Sequence, residues 1–254
     1  MSLSVVIITK NEEKNLTRCL ESVKWADEII VVDSKSTDLT IEIAQKYKTE
    51  ILIIDWTGFG PAKNEGVAQA TSEWILSIDA DEVVTPLLKE EILDIAKNSQ
   101  QCNGFYINRK TNFLGKWIQY SGWYPDYVLR LFRKDEGKFD NARVHEKLIV
   151  NGKTERLNND LLHYSYPNLK HYFEKANLYT TLGARDSFEK GKKVSLSDIT
   201  VRPFASFIKH YIIKQGYRDG IEGLFISAFS ALSVMVKYAK LRELYKNKDR
   251  ENYE

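Results

Sequence analysis

The first hundred residues alternate between two periods, and nothing else in the chain constrains the fold as tightly. Leu3–Thr9, Glu28–Asp33, Glu50–Ile54 and Trp74–Asp79 are short runs rich in Val and Ile. Apolar at consecutive positions, such runs suit strands covered on both faces. Between them lie stretches with helical spacing. Glu13–Val23 sets Leu16, Leu20 and Val23 on one face, Thr40–Tyr47 does the same with Ile43 and Tyr47, and Ala62–Ala70 follows a Gly58-Phe59-Gly60-Pro61 turn. Thr85 and Pro86 read as the N-cap and first residue of a helix running to about Lys97. Repeated strand–helix units predict an α/β fold, a mostly parallel sheet covered by helices with right-handed connections.

From Gly104 the pattern changes. Gly104–Arg109, Tyr127–Arg133 and Lys147–Val150 read as further strands around an aromatic segment from Phe113 to Tyr127, and beyond His163 the chain reads as helices. The run Leu3–Ile8 lacks a preceding basic region and a small-residue cleavage site, so it is expected to be a strand and not a signal peptide. Leu224–Val236, bounded by Glu222 and Lys237, holds 13 residues. That falls short of the ~20 needed to cross a bilayer, so no transmembrane helix is expected.

Cys19 and Cys102 are the chain's 2 cysteines, too few for a disulfide framework, and no ligand-spaced Cys/His set surrounds them. A reducing cytoplasm is the expected setting. The net charge of +2 conceals an asymmetry: residues 190–254 carry 13 Lys/Arg against 7 Asp/Glu, leaving an excess of negative charge in the rest. The two parts are expected to face different partners, and no nucleic-acid partner is expected.

In an open parallel sheet, ligands bind beyond the carboxyl ends of the strands. Those ends are acidic or amide-bearing here: Thr9-Lys10-Asn11-Glu12, Asp33-Ser34 and Asp79-Ala80-Asp81-Glu82. Residues two apart in a strand point alike, so Asp79 and Asp81 could share one hard cation if the strand persists to Asp81. An isolated Asp-x-Asp is more often a turn or cap; Asp33 at a neighbouring strand end favours a site. Neither Gly-x-Gly-x-x-Gly nor Gly-x-x-x-x-Gly-Lys-Ser/Thr occurs, which argues against dinucleotide and P-loop sites.

These residues, with Lys63-Asn64-x-Gly66, give the chain a resemblance to the nucleotide-sugar half of family 2 glycosyltransferases with the GT-A fold. Trp123-Tyr124-Pro125-Asp126, Arg130-Leu131-Phe132-Arg133 and Val144-His145-Glu146 are similar to the lipopolysaccharide-core β-1,4-glucosyltransferase branch. The resemblance covers roughly residues 3 to 165. It implies a GT-A (Rossmann-like) catalytic domain over residues 1–165, with a nucleotide-sugar half at 1–100 and an acceptor half at 101–165, and a helical extension at 166–254. It further implies that Asp33 accepts from the base of a UDP-sugar, that Asn11 and Glu12 line the nucleotide pocket, and that Lys63 and Asn64 lie near the donor. Asp79 would face the ribose and Asp81 would hold Mg²⁺ or Mn²⁺. The implied reaction is inverting transfer of a hexose, glucose from UDP-glucose in this branch, to a lipid-linked sugar. The alternatives are another nucleotide sugar, a polyprenyl-phosphate acceptor, or a binding protein without catalysis.

Such a transfer needs a base for the acceptor hydroxyl. Glu146 is the first candidate, Asp126 the second, and His145 could orient the base or the acceptor. The bland reading of Glu146 is a surface pair with Arg143 or Lys147. Arg130 is the candidate for the diphosphate. Trp117, Trp123 and Tyr124 suit sugar stacking or an ordinary core equally well. Between Pro203 and Leu244, bulky apolar residues alternate with Lys209, Lys214, Arg218, Lys237, Lys240 and Arg242. That composition predicts an interfacial segment at about residues 200–245 on the inner face of the cytoplasmic membrane. Packing on the catalytic domain, or pairing of two copies through Ser227, Ala228 and Ala231, is the competing reading.

Overall fold

The computed structural model describes residues 2–98, 101–140 and 146–251, with side chains described up to Asn247. The expected alternation is present. β1 (Leu3–Thr9), α1 (Leu16–Val23), β2 (Glu28–Asp33), α2 (Thr40–Gln45), β3 (Glu50–Ile53), α3 (Phe59–Gln69) and β4 (Trp74–Asp79) follow in order. β5 (Glu82–Val84), α4 (Pro86–Asn98), β6 (Gly104–Phe113), β7 (Lys116–Trp117), β8 (Tyr127–Arg133), β9 (Gly137–Phe139), β10 (Leu148–Val150) and β11 (Thr154–Tyr166) come next. Helices α5 (Leu169–Glu189), α6 (Leu196–Ile199), α7 (Val201–Ile208) and α8 (Gly220–Glu251) complete the chain.

Among the described residues one sheet runs β3-β2-β1-β4-β8-β6-β11-β5, with β7 on β6, and β9 and β10 form a separate hairpin. β1 pairs in parallel with β2 (Thr9 opposite Asp33) and with β4 (Ile8 opposite Asp79), so the carboxyl ends of the three strands lie side by side. Every residue of β1 is buried, which accounts for its apolar run from Val5 to Ile8. α1 buries Leu16, Cys19, Leu20 and Val23. α3 lies close on β1 and β2 because Gly66 has no side chain, and a Cβ there would come within 2.4 Å of Val6 Cγ1. The predicted cap of α4 is present, with Thr85 Oγ1 accepting from Leu88 N–H at 3.2 Å.

Two expectations need correction. The region beyond Val150 contains β11, a 13-residue strand reaching Tyr166, where no strand was expected. Its sequence hides it, because Asn158, Asn159 and Asp160 are polar, and the first two bond the Glu91 carboxylate while Asp160 bonds Asn108. α8 also runs straight through Glu222 and Lys237, which bound the short apolar run. By length and composition alone, the stretch Gly216–Asn247 is long and apolar enough to cross a membrane.

The chain forms two compact units. Residues 1–110 and 125–164 form the sheet-based unit, whose core joins Val5, Ile7, Leu20, Val31, Trp74, Leu76 and Ile107. The second unit combines Thr111–Tyr124 with Ser165–Glu254. Its cores are Phe113, Ile118, Tyr172 and Ile226 at one place and Ala184, Tyr238 and Leu241 at another. The aromatic segment thus belongs with the terminal helices, and Asp219, 2% exposed, fastens it by accepting from Gln119 N–H, Tyr120 N–H and the Ser121 hydroxyl.

Candidate active site

The loops after β1 and β2 interlock. Asn11, in the left-handed region at φ 55, donates its N–H to Ser36 Oγ at 2.8 Å, while its Oδ1 accepts from Thr37 N–H at 2.8 Å. Glu12 N–H donates to Thr40 Oγ1 and the Glu12 carboxylate accepts from Asn15 Nδ2, both at 2.8 Å. Asp33 is fully buried and accepts from Ser36 N–H at 2.7 Å and from the Ser36 hydroxyl at 2.5 Å. Each oxygen accepts one bond from Ser36, so Asp33 braces the loop after β2.

β4 ends at Asp79, and Ala80–Asp81 form a turn into β5. Strand alternation does not reach Asp81, so the condition for the two carboxylates to point alike fails. Both Asp79 oxygens face cations: Oδ2 accepts from Arg130 Nη2 at 2.7 Å, and Oδ1 lies 3.2 Å from Lys63 Nζ. Burial alone would raise the Asp79 carboxyl, but Arg130 first and Lys63 second outweigh it and hold the group well below the usual carboxylate range. Asp81 has a different neighbour. β11 pairs with β5 so that His163 lies opposite Glu82, and His163 Nε2 sits 3.3 Å from Asp81 Oδ2.

Lys63, on the buried face of α3 and only 2% exposed, lies between two carboxylates that are far apart in sequence. Its Nζ donates to Glu146 Oε1 at 2.7 Å and pairs with Asp79. The bland surface reading of Glu146 fails for its side chain, which is 16% exposed and tied to a buried lysine. The ionic chain continues past Asp79. Arg130 Nη2 donates to Glu82 Oε1 at 2.7 Å, Arg109 Nη1 lies 3.5 Å from the same oxygen, and Arg109 Nε and Nη2 donate to Asp126 Oδ2 at 2.9 and 2.7 Å. Asp79 and Glu82 push the Arg130 guanidinium up against the opposing effect of burial.

Below the strand ends, the Cys19 thiol is pushed well above its ordinary value by burial first and then by Glu82, Asp81, Asp79 and Glu12. The Cys19 Sγ lies 3.8 Å from the Asp79 carbonyl oxygen, under the end of β4. A site of this composition concentrates negative charge around two buried cations and suits a ligand whose own anions are met by a metal.

The structure brings Lys63, Asp79, Arg130, Asp126 and Glu146 into one ionic network, and Asn11, Glu12 and Asp33 into one pair of loops. Asn64 behaves differently, since its side chain donates to Phe139 O at 2.9 Å and accepts from Phe139 N–H at 3.0 Å. It clasps backbone and does not offer itself to a donor. Arg130, 3% exposed and engaged by two carboxylates, does not present its guanidinium to a diphosphate. His145 lies outside the described residues. Sequence reasoning missed Glu82, Arg109 and His163; only Glu82 carried a signal, as the last residue of Asp79-Ala80-Asp81-Glu82.

The description Glycosyl transferase family 2 belongs to the family model that matches residues 4–148. An uncharacterized glycosyltransferase of Rickettsia conorii is 32% identical over 95% of this chain and 90% of its own length. The lipopolysaccharide core biosynthesis glycosyltransferase LpsC of Rhizobium meliloti is 28% identical over 99% of this chain and 96% of its own. Among solved structures, S. aureus TarS 1–349 in complex with UDP-GlcNAc is 17% identical, with 98% of this chain and 92% of that one covered at a TM-score of 0.49.

Proposed function

The chain belongs to glycosyl transferase family 2 and is a transferase; from that premise we propose that it transfers a hexose, with inversion, from a UDP-sugar to a lipid-linked saccharide at the inner face of the cytoplasmic membrane. The observation that carries the reading is Lys63, which joins the strand-end carboxylate of Asp79 to Glu146, the latter 83 residues from the lysine. A buried lysine held between two carboxylates fixes both, and an in-line displacement needs its base and its donor fixed relative to each other.

Glu146 takes the proton of the attacking hydroxyl, and Lys63 holds that carboxylate in place. Asn11, Glu12 and the loop braced by Asp33 bound the nucleotide. Arg109 orients Asp126, whose side chain is 40% exposed and free to meet the acceptor sugar. Among the described residues no three His, Cys, Asp or Glu groups form a metal cage. Asp81 and His163, 3.3 Å apart, are a donor pair that fits Mn²⁺ better than Mg²⁺, because one ligand is an imidazole. Asp79, engaged by two cations, does not fit as a ligand. Bound there, the metal would act as a Lewis acid on the departing diphosphate. Glucose as the sugar rests on the branch resemblance, and the lipid-linked acceptor is supported by the name of the Rhizobium relative.

Thermal unfolding against UDP-, GDP-, ADP- and CMP-sugars, with Mn²⁺ or Mg²⁺, tests the reading, since a ligand of the folded state raises its stability by about 2.7 kcal/mol at a hundredfold excess over Kd. A shift with UDP-sugars that requires the metal is expected. Absence of a shift with every nucleotide sugar would leave a protein that kept the fold and lost the reaction.

A further inference from the structure

The second unit exposes apolar side chains that a folded chain ordinarily covers. Val201, Phe204, Ile212, Ile213, Tyr217 and Ile221 are 61, 68, 52, 68, 52 and 60% exposed. They follow one another along α7, the π-helical turn Lys209–Ile213, the 3-10 turn Gly216–Asp219 and the first turn of α8. The more apolar stretch farther along α8 is partly covered: Leu224, Leu232 and Met235 are 39, 39 and 38% exposed, while Ile226 is fully buried and Tyr238 and Leu241 are core residues. The most exposed face therefore lies before the run that composition singles out.

The charges on this stretch are one-sided. From Thr200 to Ile221, Arg202, Lys209, Lys214 and Arg218 are exposed, while the single acid, Asp219, is 2% exposed and consumed by Gln119 N–H, Tyr120 N–H and the Ser121 hydroxyl. We propose that this face seats the enzyme on an anionic lipid bilayer, with Phe204, Ile212 and Ile213 entering the headgroup boundary and Lys209, Lys214 and Arg218 meeting lipid phosphates. This deepens, and rests on, the proposed lipid-linked acceptor. Bulky apolar groups interleaved with cations match an anionic interface, the flanking acids Asp198 and Glu222 being paired to Arg202 and Lys116. A second copy of the chain is the weaker occupant, since a two-fold pairing of this face sets the four cations against their own images. A spanning α8, of whose apolar window 22% is buried, would have to give up the packing of Ile226, Tyr238 and Leu241 in its own unit.

The same 3-10 turn that meets the bilayer carries Asp219, the residue that fastens the Gln119–Ser121 segment. The aromatic acceptor candidate Trp117 is thereby held in the unit that touches lipid, whereas Trp123 packs on Phe113 and Tyr166 in that unit's core.

Flotation of the full chain with phosphatidylcholine vesicles, with and without phosphatidylglycerol, tests the proposal. The chain is expected to float with the anionic vesicles and to be released by salt. Replacing Lys209 and Lys214 by Gln should weaken the partition about 30-fold. Replacing Phe204 and Ile213 by Ser should weaken it on the order of a hundredfold or more. Both variants should keep the wild-type thermal shift with nucleotide sugar. If the full chain stays unbound, if both variants float like the wild type, or if salt and alkaline carbonate leave it embedded, the proposal is overturned. Loss of a dimer in the Phe204/Ile213 variant, seen by sedimentation, overturns it in favour of a second copy. Failed flotation beside an intact nucleotide shift removes this surface and leaves the glycosyltransferase reading; a missing nucleotide shift beside normal flotation does the reverse.

Discussion

A Glu146→Gln variant is expected to fold, to bind the sugar donor, and to turn over about 10²–10⁴-fold more slowly, the range that general-base catalysis supplies. The reason lies in what the substitution keeps. Gln can still accept from Lys63 Nζ, which now donates to Glu146 Oε1 at 2.7 Å, so the 2%-exposed lysine keeps a partner on that side. The fold and the Asp79 side of the network are undisturbed, and only the capacity to take a proton is lost. Steady-state kinetics should therefore show kcat falling with the donor KM nearly constant, the signature of a contact made in the transition state. Activity within a few-fold of wild type would remove Glu146 from the mechanism and move the role to Asp126.

The second large effect is on stability. Replacing Arg130 by Met leaves Asp79 and Glu82 without the cation that each contacts at 2.7 Å, and Glu82 is 0% exposed, so water cannot take up its charge. Removing one member of a buried ionic group costs about 3–5 kcal/mol. The pH dependence follows from Asp79. Burial alone raises its carboxyl, yet Arg130 and then Lys63 hold it well below the ordinary value. A carboxyl depressed in the folded state stabilises fully above its unfolded value, near 3.9, and that contribution is lost as pH falls toward the folded value. Taking Arg130 away diminishes the contribution. The gap between wild type and variant, read by urea titration without metal, should be widest at neutral pH and narrow below about pH 4. A gap that stays level through that range would mean that Arg130 acts through packing alone.

The strand–helix alternation was legible because β1, β2 and β4 are buried through consecutive apolar residues, and their registry places Thr9, Asp33 and Asp79 at one edge. The acidic edge could be read from that pattern alone. Its internal wiring could not. Lys63 was placed near the donor by resemblance, but its bond to Glu146, a partner 83 residues away, has no mark in local sequence. Asp81 leaves the strand because the chain turns at Ala80, which alternation cannot foresee. His163 sits on a strand so rich in amides and charges that no apolar period marks it. In the terminal region, composition pointed to the apolar run of α8, whereas tertiary packing covers Ile226 and leaves Phe204 and Ile213 outside.

On the proposed function, the acidic edge of the sheet binds a nucleotide sugar through a divalent metal held by Asp81 and His163. Isothermal titration of UDP-glucose into the wild type, Asp81→Ala and His163→Ala, with and without Mn²⁺, tests it most directly. The wild type should bind only with the metal, and both variants should lose that metal requirement together with most of the affinity while their unfolding midpoints stay near wild type. Equal binding by all three proteins, or binding indifferent to Mn²⁺, would contradict it.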